Sequence, residues 1–406
     1  MKSVISLSLT TTSLLFLFSA LALASDFKGE ILREAATKNG YKDPSQINPD
    51  FDKNKSNLGK MFFESEKLSF NASTSCSSCH LDEFSSADGL PIAIGIGGHG
   101  KGLERVKGGG AIVPRNALPL WGRASPDFKT FFWDGKVESK NGNVISQFGS
   151  ATPHLDAVTT AISLPFVEIR EMVSDDEYVK SQLMTETIGS AEAIHKELVR
   201  RVIHDMKKGL DLSNAFDVDI QDLEFWHVAK SLKHFFADKF RLRESKFSKF
   251  IGGQNTLSSD EIDGGLIFYG KGKCSNCHSG PHFSDFNFHT IVMPQFGFGK
   301  NGFGVDYGRF NTTFDFDDRY RFRTPPLHNV SKTGPYGHSG GINSLADIVE
   351  MHYDPLKFVD PAKMDSRDRR ELFSTIAAIE GQQPIGSALT TQELGKLTKF
   401  LQALSF

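Results

Sequence analysis

The sequence of 406 residues predicts an all-α, loop-rich protein. Three observations favour this class. Apolar residues recur at helical spacing, helix-capping pairs precede two of these segments, and long glycine- and proline-rich stretches lie between them. No segment shows the strong alternation of polar and apolar residues that is typical of a strand. A composition of 39% hydrophobic and 23% charged residues excludes a wholly disordered chain, and the net charge of −3 gives no bulk basicity for nucleic acid.

The individual helices follow from periodicity and caps. Apolar residues at every fourth position predict a helix over about 191–208, namely Ile194, Leu198, Val202 and Met206. A second helix is predicted by Leu223, Trp226, Ala229, Leu232 and Phe236. Ser258 and Glu261 form a capping box before a third, and Thr390 and Glu393 before a last one. Glycine- and proline-rich loops dominate residues 89–126 and 294–340.

The N-terminus has the pattern of an export signal. Lys2 precedes a mostly apolar stretch over residues 14–24, which is too short for a bilayer span of about 20 residues. Ala22-Leu23-Ala24 matches an A-x-A cleavage site. We expect residues 1–24 to be a signal peptide removed after Ala24, with the mature chain in the bacterial periplasm and not stably inserted in a membrane. The alternative is an uncleaved membrane anchor.

All four cysteines lie in two identical motifs. Cys76-Ser-Ser-Cys79-His80 and Cys274-Ser-Asn-Cys277-His278 both read C-x-x-C-H, the attachment signature of c-type haem. Two thiols bond the haem vinyl groups, and the adjacent histidine is the proximal iron ligand. A zinc ribbon needs its cysteine pairs about 15–20 residues apart, and a thioredoxin-like dithiol needs a βαβ pattern that is absent from the sequence. We therefore expect two covalent haems, in two cytochrome-c-like domains with a boundary near residue 240.

Six further segments carry a family resemblance. They follow one another in the same order as in the bacterial dihaem cytochrome c peroxidase family, which includes the MauG-type enzymes, and this chain resembles that family over nearly its whole mature length. The segments are Asp88–Gly95, Pro114–Asn116, Phe132–Lys136, Glu171-Met172, Phe322–Leu327 and Thr333–Gly340.

The resemblance implies that the haems of the two domains have different functions. Residues 25–240 would hold the haem that reacts with peroxide, and residues 241–389 the haem that transfers electrons. The C-terminal helix, residues 390–406, would return to pack on the N-terminal domain. The implied reaction is the reduction of hydrogen peroxide to water by electrons from a small c-type cytochrome or a cupredoxin. The alternatives are a MauG-like enzyme that oxidises a partner protein and a non-enzymatic bis-histidine electron carrier. A homodimer is left open.

Peroxide reduction requires a group that moves a proton between the two peroxide oxygens, and a carboxylate can do this. Glu171 matches the family's catalytic Glu-Met segment, and Glu168 is the second candidate. The alternative for both is an acidic first turn of a helix. Trp133 matches the family's tryptophan between the haems, where a ring can relay an electron. The alternative is an ordinary core tryptophan.

The sixth iron ligands would set the subtype. His99 lies near the position of the family's distal histidine on the first haem, and a surface-loop histidine is the alternative. For the second haem, the apolar face of the helix that contains Leu345, Ile348 and Val349 is centred on His352. Tyr353 lies at the edge of that face, and Met351 lies away from it. The family usually has methionine or tyrosine at this position, so His352 would be a departure that lowers the haem potential.

The resemblance also implies a structural Ca²⁺ between the domains. Asn116, Thr324 and Pro326 match its ligand positions, which use mainly carbonyl oxygens. The alternative is that these are plain residues of a proline-rich loop.

Overall fold

The computed structural model describes residues 27–147, 156–174, 188–293, 295–379 and 389–406. The predicted signal peptide, residues 1–24, lies outside the described residues. Among the helices that are described, none combines the length and apolar character needed to cross a membrane. The helices are α1 (27–38), α2 (Pro44–Ile47), α3 (Lys53–Phe63), α4 (Leu103–Lys107), α5 (Ala157–Ser163), α6 (Ile188–His204), α7 (Met206–Phe216), α8 (Phe225–Lys239), α9 (Lys246–Ile251), α10 (Ser259–Tyr269), α11 (Phe310–Thr313), α12 (Leu345–Met351), α13 (Ser366–Ala377) and α14 (Thr391–Ala403).

Two small antiparallel sheets add to the helical, loop-rich architecture, which confirms the predicted class. One contains β1 (Thr130–Phe131), β2 (Val137–Lys140) and β3 (Asn143–Ser146); the other contains β4 (Phe288–Thr290) and β5 (Arg321–Arg323). Phe131 lies opposite Val137, and Phe288 lies opposite Arg323. Strands this short do not show an alternation from which they could be predicted. The turn between β1 and β2 carries Phe132–Lys136, and it thereby places Trp133.

The predicted helix over about 191–208 is interrupted. α6 ends at His204 and α7 begins at Met206, while Asp205 between them has φ −82° and ψ 82°, outside the helical region. The side chains of Ile194, Leu198 and Val202 are buried as the periodicity predicts, but Met206 is exposed. The apolar spacing thus continues across a bend that neither proline nor glycine marks.

Each haem motif follows a helix that crosses another helix at a glycine. α3 precedes Cys76 and packs on α8; a Cβ atom added to Gly59 would lie 2.1 Å from the carbonyl oxygen of Ser231. α10 precedes Cys274 and packs on α14, where a Cβ atom on Gly264 would lie 2.1 Å from the carbonyl oxygen of Lys396. The two domains therefore use the same close helix packing to support their haem motifs.

This packing predicts that Gly59→Ala destabilises the fold by about 1–3 kcal/mol or more, because the added methyl group overlaps a helix backbone. Thermal unfolding of the holoprotein followed by circular dichroism measures the loss. Gly395→Ala is the matched control, since a Cβ atom there meets nothing within 4 Å and alanine favours a helix. Equal unfolding temperatures for Gly59→Ala and the native protein would contradict this account of the crossing.

Buried apolar side chains form two large clusters. The first contains residues between Leu58 and Phe240 together with Phe286. The second contains residues between Phe247 and Leu404 together with Leu32 and Ala36 of α1. The predicted domain boundary near residue 240 falls between the residues of these two clusters and stays a prediction. Helix α1 packs with the second cluster, although it lies before the first cluster in the chain.

The C-terminal helix packs mainly in the second cluster. α14 buries Leu397, Phe400 and Leu401 in the second cluster, and the Phe400 ring centroid lies 5.3 Å from that of Phe268 on α10. The main partner of residues 390–406 is thus α10 and not the N-terminal cluster, while α1, which lies within residues 25–240, packs in the same cluster as α14. The physical reason is that the apolar face of α14 fits the surface of α10 at Gly264. The last residue, Phe406, does contact the other domain, with its ring centroid 5.0 Å from that of Trp121.

Candidate active site at two haem motifs

The first haem motif lines a cavity with the predicted catalytic side chains. A 3₁₀ turn over Cys76–Ser78 begins at Ser75 and brings both cysteines and His80 to one wall. Trp133 and Glu171 also line this cavity. His80 donates its Nδ1 proton to the Ser86 carbonyl at 2.7 Å, which leaves Nε2 free. Burial lowers the pKa of His80 to about 4, so the imidazole is neutral, as an iron ligand must be.

Glu168 and Glu171 lie on one turn that faces this cavity. The turn follows the 3₁₀ helix Pro165–Val167 and is closed by hydrogen bonds from the amides of Glu171 and Met172 to the Glu168 carbonyl, both 3.2 Å long. Glu168 forms an ion pair with Lys136. Burial alone would raise the pKa of Glu168, but the Lys136 ammonium outweighs it and lowers the pKa.

Glu171 has the opposite electrostatic environment. Burial raises its pKa to about 7; the Lys136 ammonium opposes the rise, and the Glu168 carboxylate adds to it. Within the described part of the chain its carboxyl group makes no hydrogen bond, so both oxygens are available to a small molecule in the cavity. A carboxyl group with a pKa near neutrality can both accept and return a proton. The turn therefore holds one permanently charged carboxylate and one poised proton carrier.

Trp133 is a buried residue at the contact between the two domains. Its side chain is 8% exposed and donates from Nε1 to the Asn116 carbonyl at 3.1 Å. The Asn116 amide in turn donates to the His338 carbonyl at 2.8 Å, and the Arg323 amide donates to the Trp133 carbonyl at 2.9 Å. The indole is thus fixed on the wall of the first cavity and connected, through backbone hydrogen bonds, to two segments that lie between the second haem motif and His352 in the chain.

A buried ion network holds this contact. Arg115 donates to Asp134 at 2.6 Å and, through two nitrogens, to Asp306 at 2.7 and 2.8 Å. Lys300 also pairs with Asp134, at 3.1 Å. Burial opposes ionisation of both carboxyl groups, but Arg115 outweighs it and holds the pKa of Asp134 and of Asp306 below the usual value. The network joins the loop that carries Trp133 to the loop that follows the second haem motif.

We expect Arg115→Met to destabilise the protein by about 3–5 kcal/mol, because it leaves two buried carboxylates without their main counter-charge. Chemical denaturation of the holoprotein measures the loss. Arg200→Met is the control, since it removes an exposed ion pair with Glu197 and should have no measurable effect. A loss no larger than that of the control would contradict the assigned role of the network.

The second haem motif faces His352. His278 donates its Nδ1 proton to the Phe283 carbonyl at 2.9 Å, and His352 donates its own to the Ile348 carbonyl at 2.6 Å. Burial lowers the pKa of both imidazoles, and the proximity of His352 contributes to the shift at His278. His80, His278 and His352 therefore share one arrangement, in which Nδ1 binds a backbone carbonyl and Nε2 has no hydrogen bond to any described residue. Metal-binding histidines are oriented by this kind of outer hydrogen bond.

The two neighbouring candidates are engaged elsewhere. Met351 is 1% exposed and packs in a separate apolar cluster with Ile342 and Ile348. The Tyr353 hydroxyl donates to the Gly272 carbonyl at 2.9 Å and lies 3.8 Å from the Cys274 sulfur. Of the three residues, only His352 shares the hydrogen-bonding arrangement of the two motif histidines, and its role as the iron ligand stays a prediction.

The structure does not bring His99 into the first cavity. The residue is exposed, and it does not line that cavity in the described part of the chain. Gly97 and Gly100 on either side have positive φ angles of 82° and 76°, and the turn is held from inside by Arg105, which donates to the Gly100 carbonyl. This turn directs His99 away from the haem motif. Among the described residues, Glu168 and Glu171 are the acidic residues that line the cavity.

Of the three residues predicted to bind calcium, Thr324 has a carbonyl oxygen that is already hydrogen-bonded. The Thr324 carbonyl already accepts from the Ser284 hydroxyl at 2.7 Å and from Arg323 at 3.0 Å. The side-chain amide of Asn116 donates to the Leu90 carbonyl at 2.8 Å. Pro326 follows on the same loop, and a calcium site at these three residues stays a prediction.

Sequence reasoning missed several charged residues of the site. Lys136, Arg123 and Lys300 line the first cavity. Lys136 follows Trp133 in a segment that was already singled out, but the two other residues have no local sequence signal. Next to the second motif, Asp285 and His289 form an ion pair at 2.8 Å and lie within 4.8 Å of the Cys277 sulfur. Because Cys277 bonds the haem, this group does not represent a separate metal site.

Comparisons with known proteins identify the family. The sequence profile of a family described as di-haem cytochrome c peroxidase matches residues 53–256, which is half of the chain. The methylamine utilization protein MauG of Methylorubrum extorquens is 26% identical over 350 residues, covering 83% of this chain and 80% of that protein. The cytochrome c551 peroxidase of Pseudomonas aeruginosa is 24% identical and covers 86% of this chain and 78% of its own.

A solved structure has the same fold. The diheme peroxidase BthA of Burkholderia thailandensis superimposes with a TM-score of 0.63 at 18% identity, covering 90% of this chain and 89% of its own. The profile match, together with the two motifs and the shared architecture, settles the family. The chain belongs to the di-haem cytochrome c peroxidase family of oxidoreductases and carries two covalently bound c-type haems.

Proposed function

We propose that this chain is a periplasmic peroxidase that reduces hydrogen peroxide to water with electrons from a small cytochrome or cupredoxin. The balanced reaction is H₂O₂ + 2e⁻ + 2H⁺ → 2H₂O. The observation that carries the proposal is the poised carboxyl group of Glu171 on the wall of the cavity that His80 also lines. The export pattern of residues 1–24 supports the location.

Each residue of the site has a role in this proposal. The haem iron, when bound by His80, supplies a Lewis acid and an electron pair for cleavage of the O–O bond. The Glu171 carboxylate accepts a proton from the peroxide oxygen nearer to the iron and returns it to the far oxygen, which leaves as water. Lys136 and Glu168 stay ionised beside it and hold water and peroxide in the cavity by charge. His278 and His352 hold the second haem, and Trp133 lies between the domains as the relay.

The pKa of Glu171 predicts the pH dependence. Its pKa is raised to about 7, so the carboxylate that accepts the first proton is lost as the pH falls through that value. We expect kcat/KM for peroxide to be constant above about pH 8 and to fall about tenfold per pH unit below 7. Steady-state rates from pH 5 to 9 test this. A profile that is flat through pH 7 would contradict the assignment of Glu171 as the base.

A MauG-like reaction is the second candidate. MauG of Methylorubrum extorquens covers most of this chain, and no imidazole other than that of His80 lines the first cavity in the described residues. Such an enzyme would use peroxide to oxidise a partner protein rather than a small donor. A bis-histidine electron carrier is disfavoured, because it has no use for an accessible carboxyl group beside the first haem.

The test is peroxide-dependent oxidation of a reduced small c-type cytochrome by the mature holoprotein, with a reduced cupredoxin as a parallel donor. We expect multiple turnovers with at least one of them. Absence of turnover together with a long-lived spectral change on peroxide addition would replace the peroxidase with the MauG-like reaction. Absence of any spectral change would replace both with the carrier.

A further inference from the structure

A cluster of buried nitrogen-rich side chains surrounds Phe128 at the contact between the domains. The Cζ atoms of Arg123 and Arg323 lie 5.5 and 5.7 Å from the centroid of the Phe128 ring, and the ring of His282 lies 5.4 Å from it. Arg123 belongs to the N-terminal part of the chain, whereas His282 and Arg323 follow the second haem motif. We call these three residues the arginine cluster.

Arg323 is completely buried and incompletely hydrogen-bonded. Its Nε donates to the Phe132 carbonyl at 2.8 Å, and its Nη1 donates to the Thr324 carbonyl at 3.0 Å. The remaining nitrogen, Nη2, is buried and has no hydrogen-bond partner among the described residues. A buried guanidinium donor that lacks an acceptor is costly, so this nitrogen indicates a missing acceptor.

His282 has a similar deficit, and Arg123 connects the cluster to the first cavity. Arg123 lines the first cavity and uses Nε to donate to the Pro119 carbonyl at 2.7 Å. His282 is completely buried, and in the described part of the chain neither of its ring nitrogens has a partner, although a neutral imidazole carries one donor and one acceptor. Two completely buried side chains with unpartnered nitrogens therefore lie against the same phenylalanine ring as Arg123, which lines the first cavity.

No carboxylate compensates these charges in the described part of the chain. Neither arginine forms an ion pair there, whereas the neighbouring buried Arg115 pairs with two aspartates. Burial lowers the pKa of Arg123 to about 10, and burial together with the charge of Arg123 lowers that of Arg323 to about 9. Two uncompensated guanidinium groups in one core are too unfavourable to persist without an anion.

We propose that the arginine cluster is an anion site that binds the propionate carboxylates of the haem attached to Cys76 and Cys79. A c-type haem brings two carboxylates, and the guanidinium group pairs with a carboxylate through two parallel hydrogen bonds. The haem cavity is lined by Arg123, which places one member beside that group. The cluster would bind an anion about the size of a carboxylate. A free anion such as chloride is the alternative ligand, and the experiment must distinguish it from the propionates.

In this proposal, Arg323 affects the electron path in two ways. It contributes positive charge near the first haem, which favours the reduced iron over the oxidised iron. It also holds the Phe132 and Trp133 carbonyls through its Nε and its backbone amide, so the same residue positions the relay. A binding role and a purely structural role can be separated, because lysine keeps the charge and loses the planar donor geometry.

The experiment is spectroelectrochemical titration of both haems in Arg323→Gln, Arg323→Lys and Arg123→Gln holoproteins. We expect both glutamine variants to lower the midpoint potential of the first haem, and Arg323→Lys to retain most of the native value. Arg200→Gln removes an exposed charge far from the cluster in sequence and is the control, with no expected shift. Arg123→Gln keeps the test valid if Arg323→Gln fails to fold.

Two results would overturn the proposal. Unchanged potentials in both glutamine variants, or equal shifts in Arg323→Gln and Arg323→Lys, would show that the cluster does not act through charge on the haem. A second arm titrates the native protein in chloride and in gluconate at constant ionic strength. Potentials that are independent of chloride support the propionates, and a chloride-dependent potential that the glutamine variants abolish assigns the site to a free anion instead.

Discussion

Replacing Glu171 with glutamine is expected to lower kcat/KM for peroxide by about 10²- to 10⁴-fold, the range that a positioned acid–base group contributes. Glutamine keeps the size of the side chain and removes the proton carrier. The binding of both haems should be unchanged, because Glu171 makes no hydrogen bond in the described structure that the substitution would break. Steady-state kinetics with a reduced cytochrome donor measures the loss, and haem spectra check that the cofactors are in place.

Glu168→Gln is the matched comparison. Glu168 pairs with Lys136 and has a lowered pKa, so it stays ionised and is a poor proton carrier at neutral pH. We expect a smaller loss, together with a lower pKa for Glu171, because the neighbouring negative charge is removed. The acid limb of the pH profile should move to lower pH accordingly. A larger loss in Glu168→Gln than in Glu171→Gln would exchange the two roles.

The second large effect is expected at His352. Replacing it with alanine should remove one ligand from the second haem, so that this haem changes from a six-coordinate, low-spin state to one that binds added cyanide or imidazole. Electron delivery to the first haem should then fail, and peroxide turnover should fall with it. Optical and electron paramagnetic resonance spectra measure the change in ligation independently of activity.

Three variants sharpen this test. His352→Met should keep two protein ligands and raise the midpoint potential of the second haem, because a thioether replaces an imidazole. Met351→Leu and Tyr353→Phe should leave the spectrum unchanged, since Met351 packs in a separate cluster and the Tyr353 hydroxyl binds the Gly272 carbonyl. A native low-spin spectrum in His352→Ala, lost instead in Tyr353→Phe, would contradict the assignment.

The helices that the sequence predicts best are those with local signals. The capping boxes at Ser258 and Thr390 are present in the structure, and they begin α10 and α14 as expected. The bend at Asp205 and the packing of α14 were not predictable in the same way. The bend has no glycine or proline, and the partner of an apolar helix face depends on the shape of distant surfaces rather than on its own residues.

The residues of the site also differ in how far the sequence predicts them. The two C-x-x-C-H motifs predict covalent haem attachment from the sequence alone. Helical spacing also predicts that His352 lies on the apolar face of its helix. Arg123, Arg323 and His282 are isolated in the sequence, and only the contact between the domains gathers them around Phe128. His99 is close to the first motif in the sequence and was a candidate ligand for that reason. In the structure, a glycine-rich turn exposes its side chain instead.

The most direct test of the central claim is a single turnover without any external donor. The holoprotein is fully reduced, so that its two haems hold the two electrons that one peroxide requires, and it is mixed with one equivalent of H₂O₂. We expect both haems to be oxidised together by that single equivalent, and the reaction to be slow in Glu171→Gln. Oxidation of the first haem while the second stays reduced would contradict the proposed path through Trp133.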